Sequence, residues 1–165
     1  GLPLALELEN EVPAGLRLPR GTLGFEWYHS STFVAFAEYH FNGPGTNNAD
    51  EYLADLPRPE FARGEQYFLG KHYGGLGMSY MPYDDLLTLT LSSIGNLGDP
   101  SVLLTPSVGD ALAQNVTATL GGYFGNGEHP DISFDPADPR LTSFVSPSEY
   151  GRYGYSGFIQ LAGYF

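Results

Sequence analysis

The chain has 165 residues, with 19 acidic and 7 basic side chains, a formal net charge of −12, no cysteine, 22 glycines, 12 tyrosines and 11 phenylalanines. That length suits one domain; the charge opposes binding to nucleic acid, whose phosphates need Lys and Arg, and the lack of thiols removes disulfide frameworks and Cys-based metal sites. No apolar run approaches the roughly 20 residues of a membrane helix, and no signal peptide is visible, so a mature, trimmed or cytosolic chain is expected.

Eight strands are predicted, over about 3–12, 20–29, 32–42, 66–81, 85–95, 101–110, 115–125 and 150–165, most of them from a two-residue alternation. In the first, Leu4, Leu6 and Leu8 oppose Ala5, Glu7 and Glu9; in the second, Leu23, Phe25 and Trp27 oppose Gly24, Glu26 and Tyr28. The third sets Phe33, Ala35, Ala37, Tyr39 and Phe41 against Val34, Phe36, Glu38 and His40. The fifth opposes Leu87, Leu89 and Leu91 to Thr88, Thr90 and Ser92, and the seventh opposes Val116, Ala118, Leu120 and Phe124 to Thr117, Thr119 and Tyr123. In the last, Tyr155, Ile159, Leu161 and Phe165 alternate with Ser156, Phe158, Gln160 and Tyr164. A short helix is expected over 47–56, inside the first long connection.

The connections alternate in length. The second, fourth and sixth are tight, at 29–32, 82–85 and 111–115, whereas the two very long ones, 43–65 and 126–149, both fall on odd positions. In an up-and-down antiparallel sheet all odd connections share one end, so one end is trimmed and the other decorated. Outer-membrane barrels have this pattern. A β-sandwich or lipocalin-like barrel also alternates, but its outward polar face carries many Lys and Glu; this chain's polar parity is Gly, Thr, Ser, Tyr and Glu, with Lys71 its single lysine. Trp27, Tyr28, Phe33, Tyr80, Tyr83, Tyr164 and Phe165 all fall at the tight-turn end, as one girdle of an aromatic belt would.

The terminal stretch "GYSGFIQLAGYF" resembles the C-terminal assembly signal of bacterial outer-membrane β-barrel proteins, with Phe165 last, Leu161, Ile159 and Tyr155 at alternate positions, and Gly163 where a larger apolar residue is usual. The stretch 70–130 is similar in style to the C-terminal part of large porin-like barrels, where Leu/Thr hairpins lead into a long acidic loop. The resemblance implies a bacterial outer-membrane location, contact with bilayer and lipopolysaccharide, and insertion by the barrel assembly machinery.

The expected fold is therefore all-β: one domain over 1–165, an antiparallel up-and-down transmembrane β-barrel with about eight strands in this chain. Lipid would contact Leu23, Phe25, Leu87, Leu89, Leu91, Val102, Leu104, Val116, Leu120, Ile159 and Leu161. The lumen would receive Glu7, Glu9, Glu26, Glu38, His40, Lys71, Thr88, Thr90, Thr105, Ser107, Thr117, Thr119, Ser156 and Gln160. An eight-stranded barrel has room only for its own side chains, and these glutamates lack cations to pair with. Either some of them sit at wet rims, or the barrel is wider, with this chain as its closing part or as one of several copies around a shared pore.

The expected function is a passive channel for small solutes, acidic and cation-tolerant, using no cofactor or metal. The alternatives are a small closed barrel acting as anchor or adhesin through its long loops, and a lipid hydrolase at the rim. Candidate parts for the last are Glu38 with His40, His72, and His29 beside Ser30 and Ser31, but no serine stands near His40. Glu128, His129, Asp131, Asp135 and Asp138 form an acidic loop without a calcium-loop spacing. The sequon "NVT" at 115–117 falls at a tight turn and is discounted.

Overall fold

A computed structural model of the chain describes residues 19–52, 68–83, 86–134 and 142–164. Within these residues it is an antiparallel all-β protein. Seven strands form one sheet in the order β1-β2-β3-β4-β5-β6-β9: β1 Arg20–Ser30, β2 Phe33–Asn42, β3 His72–Tyr80, β4 Leu87–Asn96, β5 Ser101–Ala113, β6 Val116–Asn126 and β9 Ser156–Gly163. A separate hairpin pairs β7 Asp131–Phe134 with β8 Thr142–Val145.

Short turns bring the alternating patterns of β1–β2, β3–β4, β4–β5 and β5–β6 into register, whereas β2–β3 and β6–β9 pair across the two long connections. Ser31 and Thr32 join β1 to β2, where the Thr32 amide donates to Ser30 Oγ at 3.2 Å. Gln114 and Asn115 join β5 to β6 after a bulge between Ala111 and Ala113. Directly opposed residues lie on one face, so the registers define two surfaces. Phe25, Ala37 and Leu76 form one row of the first; Met78, Leu91 and Pro106 form another, and Val108, Leu120 and Ile159 a third. The second surface carries Gly24, Glu38, Gly75, Ile94 and Leu103 in one row, and Thr88, Gly109, Thr119 and Gln160 in another.

Several expectations change. Among the described residues the sheet is open, with β1 and β9 at its edges, and does not close into a barrel. The strand expected over 3–12 lies outside these residues, as do Glu7, Glu9 and Phe165. The fourth predicted strand shortens to His72–Tyr80 because the Leu69 and Gly70 amides leave the ladder for side chains, Glu149 Oε1 at 3.1 Å and Tyr73 Oη at 2.6 Å. The last strand starts at Ser156, since Tyr150 turns aside to donate its amide to Ser101 Oγ at 3.1 Å. Of the helix expected over 47–56, the described residues hold a 3-10 turn, Ala49–Glu51, capped by Asn48, whose Oδ1 accepts the Asp50 amide at 3.2 Å, with Tyr52 helical after it; 53–56 lie outside them. The second long connection is not wholly a loop, because it contains the β7/β8 hairpin.

The buried residues do not lie between two layers. They gather at one end of the sheet, where the two long connections return: Tyr52, Leu69, Tyr73 and Tyr150 with Asn42, Asn96, Ser101, Ser146, Ser148 and Glu149.

Candidate functional site

The first candidate surface is the polar face. Glu26, Glu38, His40, Thr88, Thr90, Thr117, Thr119 and Gln160, all expected to line a lumen, share it by register. Lys71 does not join them: it precedes β3 and lines a small polar pocket with Pro44, Gly45, Thr46, Asn47, Asn48 and Glu51. Glu38 stands between two glycines of the flanking strands, Gly24 and Gly75, so its carboxylate leans over bare backbone. Two aromatic rings do the same. Phe36 covers Gly77 and Phe158 covers Gly121, each directly opposite its glycine, and a Cβ at either glycine would fall on the ring. Glycine is required there by close approach, not by backbone angle.

The apolar face is the more exposed of the two. Leu76 is 62% exposed, Leu120 54%, Phe25 52% and Ile159 79%, whereas the intervening Gly75, Gly77, Thr119 and Gly121 are half-buried. Aromatic side chains edge this face at both ends. At the tight-turn end Trp27 meets Phe33 at 6.1 Å and Phe33 meets Tyr80 at 6.4 Å between ring centroids. At the other end Tyr39 and Phe41 pack on His72 at 6.1 and 5.5 Å, and Phe124 on Tyr155 at 5.7 Å. Tyr83 and Tyr164 are exposed at the tight-turn end. Tyr28, at the same end, lies on the polar face its alternation gave it, where its hydroxyl donates to Glu26 Oε2 at 2.8 Å.

The parts of a rim hydrolase are not brought together. Glu38 and His40 share the polar face, but His40 Nδ1 pairs with Thr22 Oγ1 at 2.8 Å. His72 is on the apolar face, 2.6 Å from the Tyr39 hydroxyl, and His29 lies at the far end beside Trp27. Glu128 and Asp131 likewise form no metal-ligating cluster among the described residues.

Periodicity gave no sign of the second candidate site, a buried polar cluster at the long-connection end of the polar face. Asn42 and Asn96 are the last residues of β2 and β4, and each turns its amide inward. Asn42 Nδ2 donates to the carbonyls of Phe68 and Gly70 at 3.0 and 2.8 Å, pulling the returning chain onto the sheet end. Asn96 Nδ2 faces Glu149 Oε2 and Tyr52 Oη, both at 2.8 Å, and Asp99 Oδ2 at 3.2 Å. Glu149 also accepts from the Leu69 amide at 3.1 Å and from the Tyr73 hydroxyl in a very short bond. Asp99, in the β4–β5 turn, accepts the Glu149 amide at 2.7 Å and the Ser101 amide at 3.1 Å.

Burial pushes the Glu149 carboxyl above its ordinary range, and the Asp99 charge adds to this, while bonds from Tyr73, Leu69 and Asn96 pull the other way. Burial likewise raises the Tyr52 and Tyr150 hydroxyls, keeping both neutral. Such a network holds the connection to the sheet. Comparison with known proteins finds no matching family model, no matching curated protein and no matching solved structure.

Proposed function

We propose that this sheet is the wall of an outer-membrane β-barrel serving as a passive pore for small solutes, with the apolar face toward lipid and the polar face toward the lumen. The observation that supports it is the distribution of exposure: large side chains of the apolar parity such as Phe25, Leu76, Leu120 and Ile159 are open, while the glycines and threonines between them are half-buried and only longer polar side chains such as Glu26, Glu38 and Gln160 reach out on the other face. Leaving such side chains in water forgoes about 1.5–3 kcal/mol each, a loss that a hydrocarbon surround removes. Strands β1 to β4 and β6 run 9 to 11 residues, the length a tilted strand needs to cross a bilayer. Aromatic pairs at both ends of the apolar band fit the two interfaces.

Backbone groups at an open edge have no partner in lipid, so on this reading further strand pairing at β1 and β9 completes the wall, from this chain, from a longer one or from other copies. A lumen lined by Glu26 and Glu38 favours cations and neutral solutes. The decisive experiment is single-channel recording in planar bilayers. A cation-preferring step current supports the pore; no current from chain that is inserted and protease-protected favours the closed anchor, and a chain that stays monomeric without detergent rejects the membrane reading altogether.

A further inference from the structure

The first long connection is pressed onto the sheet end as it leaves β2. The Thr46 amide donates to the Leu69 carbonyl oxygen at 3.0 Å and the Asn42 amide to that of Lys71 at 2.8 Å, while a Cβ at Gly45 would fall 1.8 Å from the Gly70 carbonyl oxygen. The loop is also fastened from within. Thr46 Oγ1 accepts the Asn48 amide at 3.1 Å and donates to Glu51 Oε2 at 2.7 Å, and Asn48 Nδ2 donates to Glu51 Oε1 at 3.4 Å. The Glu51 carboxylate is thereby aimed before any ligand arrives. Lys71, the single lysine of the chain, lines the same pocket from the strand side, and Asn47 lines it from the loop, backed by the β4–β5 turn at Gly98. The pocket holds about 430 Å³, within the roughly 300–1,000 Å³ of small-molecule sites.

The mixture of groups selects the ligand. An ammonium only donates and a carboxylate only accepts, whereas the Thr46 hydroxyl and the Asn47 and Asn48 amides do both. A bare cation would meet Lys71 and a simple anion would meet Glu51, each a like-charge contact. A hydroxyl donates and accepts at once, so neighbouring hydroxyls on one ring satisfy both kinds of group at a fixed spacing. Apart from Pro44 and Gly45 the lining is polar, which suits a ligand with little apolar surface. We propose that this pocket binds a sugar-like polyol through adjacent hydroxyls, which donate to Glu51 and accept from Lys71 and Asn47. Two sources carry that chemistry, a free sugar and the sugar headgroup of a lipid. Binding stands on the geometry of the loop; passage of a bound sugar along the wall rests on the pore reading.

Amide NMR of the whole folded chain, in micelles of a detergent without a sugar headgroup, tests it with glucose as the probe. Glucose should shift the Thr46, Asn47, Asn48 and Lys71 amides saturably, with a dissociation constant on the order of 1 mM, and leave Leu91 and Leu120 in place. Glycine, inorganic phosphate and calcium chloride at the same concentration should not move those four amides. Lys71→Met keeps the stem without the ammonium and should weaken glucose binding at least about tenfold, and Asn47→Ala about fivefold. An absent or unsaturable glucose shift overturns the proposal, as does an equal response to glycine, phosphate or calcium, or an unchanged affinity in Lys71→Met. If Lys71→Met does not fold, Asn47→Ala decides: a weaker affinity supports the site and an unchanged one overturns it. Lipopolysaccharide in place of glucose separates the two sources. Shifts of the same amides that glucose competes away assign the site to a lipid-borne sugar, and a response to glucose alone assigns it to a free solute. Conductance is not read here, so a null result strikes the sugar site and leaves the pore reading to its own experiment.

Discussion

On β6, Thr119 and Leu120 are adjacent in the chain and opposite in surroundings. Thr119 opposes Gly109 and Gln160, where side chains are small or polar; Leu120 opposes Val108 and Ile159 and is 54% exposed with nothing laid over it. In a water-soluble sheet the leucine would be the covered residue and the threonine the open one. The reversal carries the functional reading, and it can be attacked directly. In lipid, an arginine facing hydrocarbon near the midplane costs about 2–4 kcal/mol, whereas one facing a wet lumen costs little. Leu120→Arg is therefore expected to destabilise the inserted protein by about that amount, and Thr119→Arg by less than about 1 kcal/mol while lowering cation preference. Denaturant titration in lipid vesicles measures both, and equal losses at the two positions would break the comparison.

The next effect separates glycines by what lies above them. Gly121 is covered by the Phe158 ring, and a Cβ there would also come within 3.1 Å of the Pro106 carbonyl oxygen, while a Cβ at Gly21 would meet nothing within 4 Å. Gly121→Val should cost about 1–3 kcal/mol through overpacking. Gly21→Ala should instead be neutral or stabilise by up to about 1 kcal/mol, because it restricts the unfolded chain. A thermal melt of each variant suffices to tell them apart.

The two faces were legible in the sequence because alternation is a property of neighbouring residues: Leu87, Leu89 and Leu91 against Thr88, Thr90 and Ser92 needs no knowledge of the partner strand. Short connections were enough to predict the pairs they join, since a tight turn forces an antiparallel pair, whereas the β2–β3 and β6–β9 pairs span long connections that force none. The buried cluster was not legible. Its members come from separate connections and strand ends, Tyr52, Tyr73, Asn96, Asp99 and Glu149, and they meet only once the sheet has brought those ends together. Glu149 sits in "SPSEY", a stretch whose composition reads as an ordinary turn.

The aromatic rows sharpen the same comparison along the strands. Trp27 packs against His29 at 5.1 Å and Phe33 at 6.1 Å on the apolar face, so Trp27→Ala should cost about 1 kcal/mol beyond its lost area. Trp27→Phe should recover most of it. Tryptophan emission offers a second reading, because Trp27 is the single tryptophan: brominated lipids should quench it most when the bromine lies near the headgroups, and quenching deepest at the bilayer centre would contradict an interfacial girdle.

The smallest effect concerns Glu38, which is exposed on the polar face and flanked by Gly24 and Gly75, so no side chain of a neighbouring strand shields it. A solvated unit charge attracts a passing cation by about 1 kcal/mol at contact. Glu38→Gln should therefore leave stability within about 0.5 kcal/mol of the original and reduce the cation-to-anion permeability ratio by no more than about fivefold, measured as a reversal potential. Salt decides whether the charge acts through the lumen or through structure. Screening shortens from about 30 Å at 0.01 M to about 3 Å at 1 M, so an electrostatic effect should fade across that range. A difference between Glu38 and Gln at this position that persists in 1 M salt would assign the side chain to packing over the two glycines, and the acidic face would then owe its selectivity to Glu26 and the rims.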